Sequence, residues 1–167
     1  MVEVLLVSDS HVPSREPAVP EWVLERIRAA PYTIHAGDFD SPEALATVRE
    51  AANDLTAVRG NIDPEDIGLP DVATLDVGGV RFVVTHGTGP IENYYERVAG
   101  IVAEHAASEG PTVGVSGHTH QRTDVEVDGY RLLNPGSCTG VGPAPTASVV
   151  TVTVADGSLS VTAEERD

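Results

Sequence analysis

The chain contains no lysine, and its 10 basic residues, all arginine, stand against 26 acidic ones. The formal net charge of −16 argues against a broad polynucleotide-binding face, because such binding rests on neutralising phosphates with Lys and Arg. A small substrate is the expected partner, and no stable nucleic-acid complex is expected. Because the acidity runs along the whole sequence rather than forming a tail, it suggests a protein kept soluble in a salt-rich cytoplasm, with an ordinary acidic mesophilic protein as the alternative. One cysteine, Cys138, leaves no intramolecular disulfide and no thiolate zinc site. Apolar runs fall short of the ~18 residues that suggest a membrane span. The opening MVEVLLVSDSH has no basic stretch before its apolar residues and no small-residue cleavage pattern after them, so it reads as a first strand, not a signal peptide. A cytoplasmic location is expected.

What remains is a chain of 167 residues with 41% hydrophobic content, a natural size for one domain over 1–167. Folding at that length buries roughly 70% of the unfolded chain's surface, so a real core is available. Val2 to Val7 and Tyr32 to Ala36 read as buried strands that each end in a polar loop. Glu21 to Ala30 reads as a helix entered through Pro20, and Ser41-Pro42 as the N-cap and first turn of a second helix through Ala51. A third strand covers Leu55 to Val58. Gly78-Gly79 between Ala73–Val77 and Val80–Thr85 predicts a tight hairpin, Glu92 to Ser108 the longest helix, and Thr112 to Val115 another strand. From Thr123 onward, strands alternate around turns at Asp128-Gly129 and Asp156-Gly157. Strand–helix units first and mostly antiparallel strands last make one α/β domain.

Nearly all side chains able to hold a metal fall just after a predicted strand, where open α/β sheets bind ligands. Asp9 and His11 are two residues apart, as are His118 and His120, and an extended backbone would turn both members of each pair to one side. Asp38, Asn61 and His86 each adjoin a glycine, which permits tight turns over a sheet edge. Taken singly, Asp-x-His, Gly-Asp and Gly-Asn are ordinary loop and turn sequences. Five such motifs, using four of the chain's 6 histidines, are not an ordinary coincidence.

In this combination the sequence resembles the calcineurin-like metallophosphoesterases, and among them the small single-domain YfcE-like phosphodiesterases. The resemblance rests on Asp9-Ser10-His11, Gly37-Asp38, Gly60-Asn61, His86-Gly87, Gly117-His118-Thr119-His120 and Asn134-Pro135-Gly136-Ser137. It implies two packed mixed sheets flanked by helices. It also implies two divalent ions per chain, one held by Asp9, His11, Asp38 and His120 and the other by Asp38, Asn61, His86 and His118, with Asp38 shared. Asp38, Asn61 and His86 are the catalytic candidates, and a water activated by the metals would attack a small phosphate ester. The mixture of imidazole and carboxylate suits Mn, Fe, Ni, Co or Zn, with Mn preferred, better than Mg or Ca. Diesters are the expected substrates. Phosphomonoesters are the nearest alternative, and a non-catalytic protein-binding scaffold of the same fold is another. A homo-oligomer is left open.

One feature departs from larger relatives. Many of them carry a His after Gly-Asn that can protonate the leaving oxygen, whereas Gly60-Asn61 is followed here by Ile62 and Asp63. Ile62 cannot donate a proton, and Asp63 reads as an ionised, poor donor whose replacement by Asn should matter little for aryl esters. His35 is either a partner of the ligands or a buried strand His, and His105 reads as a surface residue. Arg59 and Arg122 adjoin the motifs and either grip phosphate or pair with acids. Asn134 to Ser137 reads as a turn closing the site.

Overall fold

The computed structural model describes all 167 residues. Two five-stranded sheets pack face to face, with helices on both outer faces. In chain order the elements are β1 (Val2–Val7), α1 (Glu21–Ala29), β2 (Tyr32–His35), α2 (Pro42–Ala51), β3 (Leu55–Ala57), β4 (Val72–Val77), β5 (Val80–Thr85), α3 (Tyr94–Glu104), β6 (Thr112–Val115), β7 (Thr123–Val127), β8 (Tyr130–Asn134), β9 (Ala147–Ala155) and β10 (Ser158–Arg166). The first sheet runs β10-β9-β1-β2-β3 and the second β4-β5-β6-β8-β7. Within them β1-β2-β3 and β5-β6-β8 are parallel, while β9 runs antiparallel to both β1 and β10, and β4-β5 and β7-β8 are antiparallel hairpins.

Alternation along the strands divides the core into three layers. Val4 and Leu6 point between the sheets, where they meet Phe82, Val84, Val115 and Val152, all buried. Leu5 and Val7 point the other way, onto Val23 and Ile27 of α1 and Leu45 and Val48 of α2. Val83 and Leu132 face α3 through Val98 and Val102. Strands buried on both faces have no polar side of their own, which is why β1 reads as an unbroken apolar run from Val4 to Val7. Their carboxyl ends open onto a common edge, where the polar loops gather.

The expected elements are present with one notable difference. The predicted helix over 92–108 begins as a short 3₁₀ turn at Ile91–Asn93 and ends at Glu104. At its end, His105 and Ala106 donate their N–H groups three residues back, and Ala107 N–H goes to Thr112 Oγ1 instead of a helical carbonyl. A side chain of the next strand therefore takes over the backbone partner and stops the helix. Elsewhere the boundaries move by a residue. Ser41 Oγ accepts from Ala44 N–H at 3.1 Å, the cap expected of it.

Candidate metal centre

Asp9 and His11 follow β1, Asp38 follows β2, Asn61 follows β3, His86 follows β5, and His118 and His120 follow β6. The expectation that each pair is turned to one side by extended backbone is not met. Asp9, His11, Asp38, His118 and His120 all have left-handed backbone, with φ between 49° and 77°. This conformation costs on the order of 1 kcal/mol for a side chain-bearing residue, though Asp and His tolerate it better than most. Bonds between the loops hold it: Asp9 N–H donates to Gly37 O at 3.0 Å, His11 N–H to Asp38 O at 3.1 Å and Gly117 N–H to His86 O at 3.1 Å. The motif glycines serve close approach as much as turning. A Cβ on Gly60 would overlap the Asp38 backbone and Oδ1, and one on Gly117 would overlap Ser8 Oγ and lie 2.6 Å from Asp9 Oδ2.

These loops bring Asp9, His11, Asp38 and His120 together, with donor atoms all within 4.8 Å of one another and every residue buried. His11 Nε2 is 3.0 Å from His120 Nε2 and 3.6 Å from Asp38 Oδ2, while Asp9 Oδ1 is 3.4 Å from His120 Nε2. His120 Nδ1–H is given to the Val141 and Gly142 carbonyls, which leaves the Nε2 lone pair facing inward. Electron-pair donors thus face one another across distances close to the roughly 3.0–3.5 Å edges of a shell whose bonds are near 2.1 Å. A cation satisfies them all, and the residues fit one.

The remaining candidates form two linked pairs beside this cluster. His86 gives Nδ1–H to Ala36 O at 2.7 Å, and its buried Nε2, without a hydrogen-bond partner, lies 3.1 Å from Asp38 Oδ2. His118 Nε2–H donates to Gly89 O at 3.1 Å, leaving Nδ1 opposite Asn61 Oδ1 at 3.2 Å. Asp38 Oδ2 therefore stands between His11 and His86. Burial would lower the His86 pKa, but the Asp38 and Asp9 carboxylates outweigh it and lift it to about 9. Burial would raise that of Asp9, and its contacts with His11 and His120 and the His86 charge instead hold it well below the usual carboxylate range. Without a metal, a proton on His86 offsets part of the negative charge of these two carboxylates.

Around the ligands is a set of braces that the motifs did not announce. Asn134 donates its amide to Gly117 O and Thr119 Oγ1, and Tyr94 O–H also reaches Gly117 O, so both hold the loop of His118 and His120. Ser137 Oγ–H donates to Asp9 O at 2.8 Å, which gives the 134–137 turn its closing role. His35 is no ligand: it is buried, stacked on Phe39, accepts from Gly37 N–H at Nδ1 and donates from Nε2 to Ser10 Oγ at 2.8 Å. Burial pushes its pKa down to about 3, so it stays neutral. Asp63, expected from the sequence to be a poor proton donor, does not stand free in its loop. It is buried, and both oxygens accept backbone N–H groups. Its replacement by Asn is therefore no neutral change, because a side-chain NH₂ would face an N–H.

Two grooves flank the centre. One of about 310 Å³ is lined by Asn61, His86, Thr88 and Arg59, and the other of about 360 Å³ by His120, Gln121 and Arg122. Arg59 is 3.4 Å from Asp71 and Arg122 3.5 Å from Glu165, so both arginines pair with acids, loosely beside the 2.8 Å pairs of Arg26, Arg81 and Arg131. His105 lies away from the cluster, with Nδ1–H given to Ile101 O.

A buried Asp and His cluster on the shared edge of two helix-flanked sheets defines a metal-binding α/β protein. The description of the calcineurin-like phosphoesterase superfamily domain matches residues 2–157, and the chain belongs to that superfamily. A probable metallophosphoesterase of Methanothermobacter thermautotrophicus is 34% identical over 136 residues, covering 80% of this chain and 76% of the relative. A phosphodiesterase of Methanocaldococcus jannaschii is 25% identical over 154 residues, covering 83% of this chain and 86% of that one. Wild-type Vps29 of Entamoeba histolytica, solved in complex with zinc, aligns with a TM-score of 0.73 at 26% identity, covering 99% of each chain.

Proposed function

We propose that the chain hydrolyses small phosphodiesters using two divalent ions, one held by Asp9, His11, Asp38 and His120 and the other by Asp38, Asn61, His86 and His118. The observation that carries this reading is Asp38 Oδ2, placed 3.6 Å from His11 Nε2 on one side and 3.1 Å from His86 Nε2 on the other. When bound, two such cations lower the pKa of a water, orient a phosphate and neutralise charge on its oxygens, with Mn our first choice from the mixed imidazole and carboxylate donors. The chain's own contribution is orientation. His86 and His120 are locked by their Nδ1–H bonds so that Nε2 faces inward, and the grooves on either side suit the two arms of a diester. No side chain after Asn61 is free to protonate a leaving oxygen, since Asp63 is committed to backbone groups. The same reading takes 1–167 as one catalytic domain adapted to a salt-rich cytoplasm.

Phosphomonoesterase action on the same donors is the alternative within this class. The likeness to Vps29 raises a protein-binding role, but the full set of inward-facing donors favours catalysis here. A panel of chromogenic mono- and diesters, assayed after metal removal and re-addition of single cations, tests the reading. Metal-dependent cleavage of diesters ahead of monoesters supports it. No hydrolysis with any cation, from folded protein that still binds metal, would contradict it.

A further inference from the structure

Asp63 occupies an unusual place for an acidic residue in a chain of net charge −16: it is only 5% exposed and forms no ion pair. Instead, Oδ2 accepts from Asp38 N–H at 2.9 Å and Gly60 N–H at 2.8 Å, and Oδ1 accepts from Asp40 N–H at 2.8 Å. The loop after β2 is thereby tied to the loop after β3. The exchange is mutual, because Ile62 N–H donates to Asp38 Oδ1 at 3.1 Å. Each carboxylate takes a backbone amide from the other's loop.

We infer that Asp63 is the positioning residue of the metal centre, the group that fixes where Asp38 presents its free oxygen. The inference rests on the reading of Asp38 as a ligand. Asp38 is left-handed at φ 62° and Asp40 at φ 95°, and Asp63 accepts the N–H of both, so the carboxylate secures the two strained residues directly. With Oδ1 committed to Ile62 N–H, only Oδ2 is left facing His11 and His86. Loss of Asp63 would leave two buried N–H groups and one part-buried one seeking acceptors and release the loop that aims Asp38. Outer partners of metal ligands typically govern about 10- to 100-fold in metal affinity or activity.

The test uses the full chain, stripped of metal, with Asp63→Ala, Asp63→Asn and, as a charge control, Asp66→Asn in the same loop, where the side chain is exposed. Mn²⁺ alone is titrated in, binding is measured by calorimetry, and the spin resonance signal of bound Mn²⁺ is recorded for magnetic coupling between neighbouring ions. Asp63→Ala should weaken Mn²⁺ by about 10-fold or more and diminish the coupled signal. Asp63→Asn should weaken it by less, and Asp66→Asn not at all. Diester kcat per folded chain should fall in the same order, and it is the weaker Mn²⁺ affinity and the diminished coupled signal of folded protein that a general loss of stability would not produce. Should Asp63→Ala fail to fold, Asp63→Asn decides: its carbonyl can still serve Asp38 and Gly60 while its NH₂ opposes Asp40 N–H. Unchanged Mn²⁺ affinity and signal in Asp63→Asn and in any folded Asp63→Ala would overturn the inference. If the unsubstituted chain binds only one ion, the two-ion reading fails, but weaker binding of that ion in Asp63→Asn still supports the role of Asp63, and equal binding still refutes it.

Discussion

The same backbone conformation appears in two regions of this molecule for opposite reasons. At the β7–β8 and β9–β10 hairpins, Asp128 and Asp156 are left-handed at φ 52° and 49°, each followed by a left-handed glycine. Asp-Gly is what a two-residue hairpin turn prefers, so local sequence alone produces the geometry at low cost. At the metal edge, Asp9, His11, Asp38, His118 and His120 adopt it too, but their side chains suit metal chemistry and the conformation is held by neighbouring loops. One region is strained only as turns are. The other stores strain under tertiary control, as functional sites do.

Exchanging glycine for alanine in each region should break the comparison open with the largest effect. Around Gly129, at φ 85°, no atom approaches a would-be Cβ, whereas at Gly117 the Cβ would run into Ser8 and the Asp9 carboxylate. Gly129→Ala should cost about 1 kcal/mol from backbone strain and leave hydrolysis intact. Gly117→Ala should displace Asp9 and reduce turnover by about 100-fold or more while the fold survives. Melting curves and diester rates on both variants check this. Equal effects on activity would erase the distinction between the two regions.

With Asp63 committed to backbone amides, no side chain just after Asn61 is free to protonate a leaving oxygen, which sharpens the chemistry of the metal edge further. Aryl diesters such as bis(p-nitrophenyl) phosphate should be cleaved faster than alkyl diesters by about 10²-fold or more, in line with what a positioned acid usually contributes. Measurement of kcat/KM over leaving groups that span several pKa units gives the slope. A flat slope would mean that some group here donates after all.

Legibility in the sequence followed the same division. Hairpins were readable from Gly78-Gly79, Asp128-Gly129 and Asp156-Gly157, because turn chemistry is local. The strands and their order of polar endings were readable from apolar runs. The donors now gathered around Asp38 were named from their motifs, but extended geometry was the wrong reason for their convergence: left-handed residues and loop-to-loop bonds bring them in. Asp63 looked like a loop carboxylate because its three amide partners lie up to 25 residues away, and no spacing rule reveals them. The end of α3 was overrun for a similar reason, since Thr112 supplies the bond that halts it.

Smaller effects follow from ionisation. His35 takes up a proton near pH 6.5 when unfolded but only at about 3 in the buried site, so the unfolded chain gains the extra proton between those values. Stability is therefore full above the unfolded value and falls on acidification through this window, by up to about 1.4 kcal/mol per pH unit. His86 shifts upward, so its window lies above 6.5, where stability falls as pH rises towards about 9. In metal-free protein, His35→Gln should flatten the drop in urea midpoint between about pH 6.5 and about pH 5. An unchanged slope would show that His35 is not the titrating group. The smallest effect is diffuse: melting temperature should rise by a few degrees from about 0.2 to about 3 M KCl, because 26 acidic residues repel one another at low salt. A flat or falling trend would count against the salt-adapted reading alone.

The most direct measurement counts ions and turnover together. Metal-free protein is titrated with Mn²⁺ while bis(p-nitrophenyl) phosphate hydrolysis is followed, for the unsubstituted chain and for Asp38→Asn. Activity should rise with the second ion per chain, and Asp38→Asn, still folded, should lose most of it, because its carboxylate is the one placed between both groups of donors. Full activity with a single ion, retained in Asp38→Asn, would contradict the account.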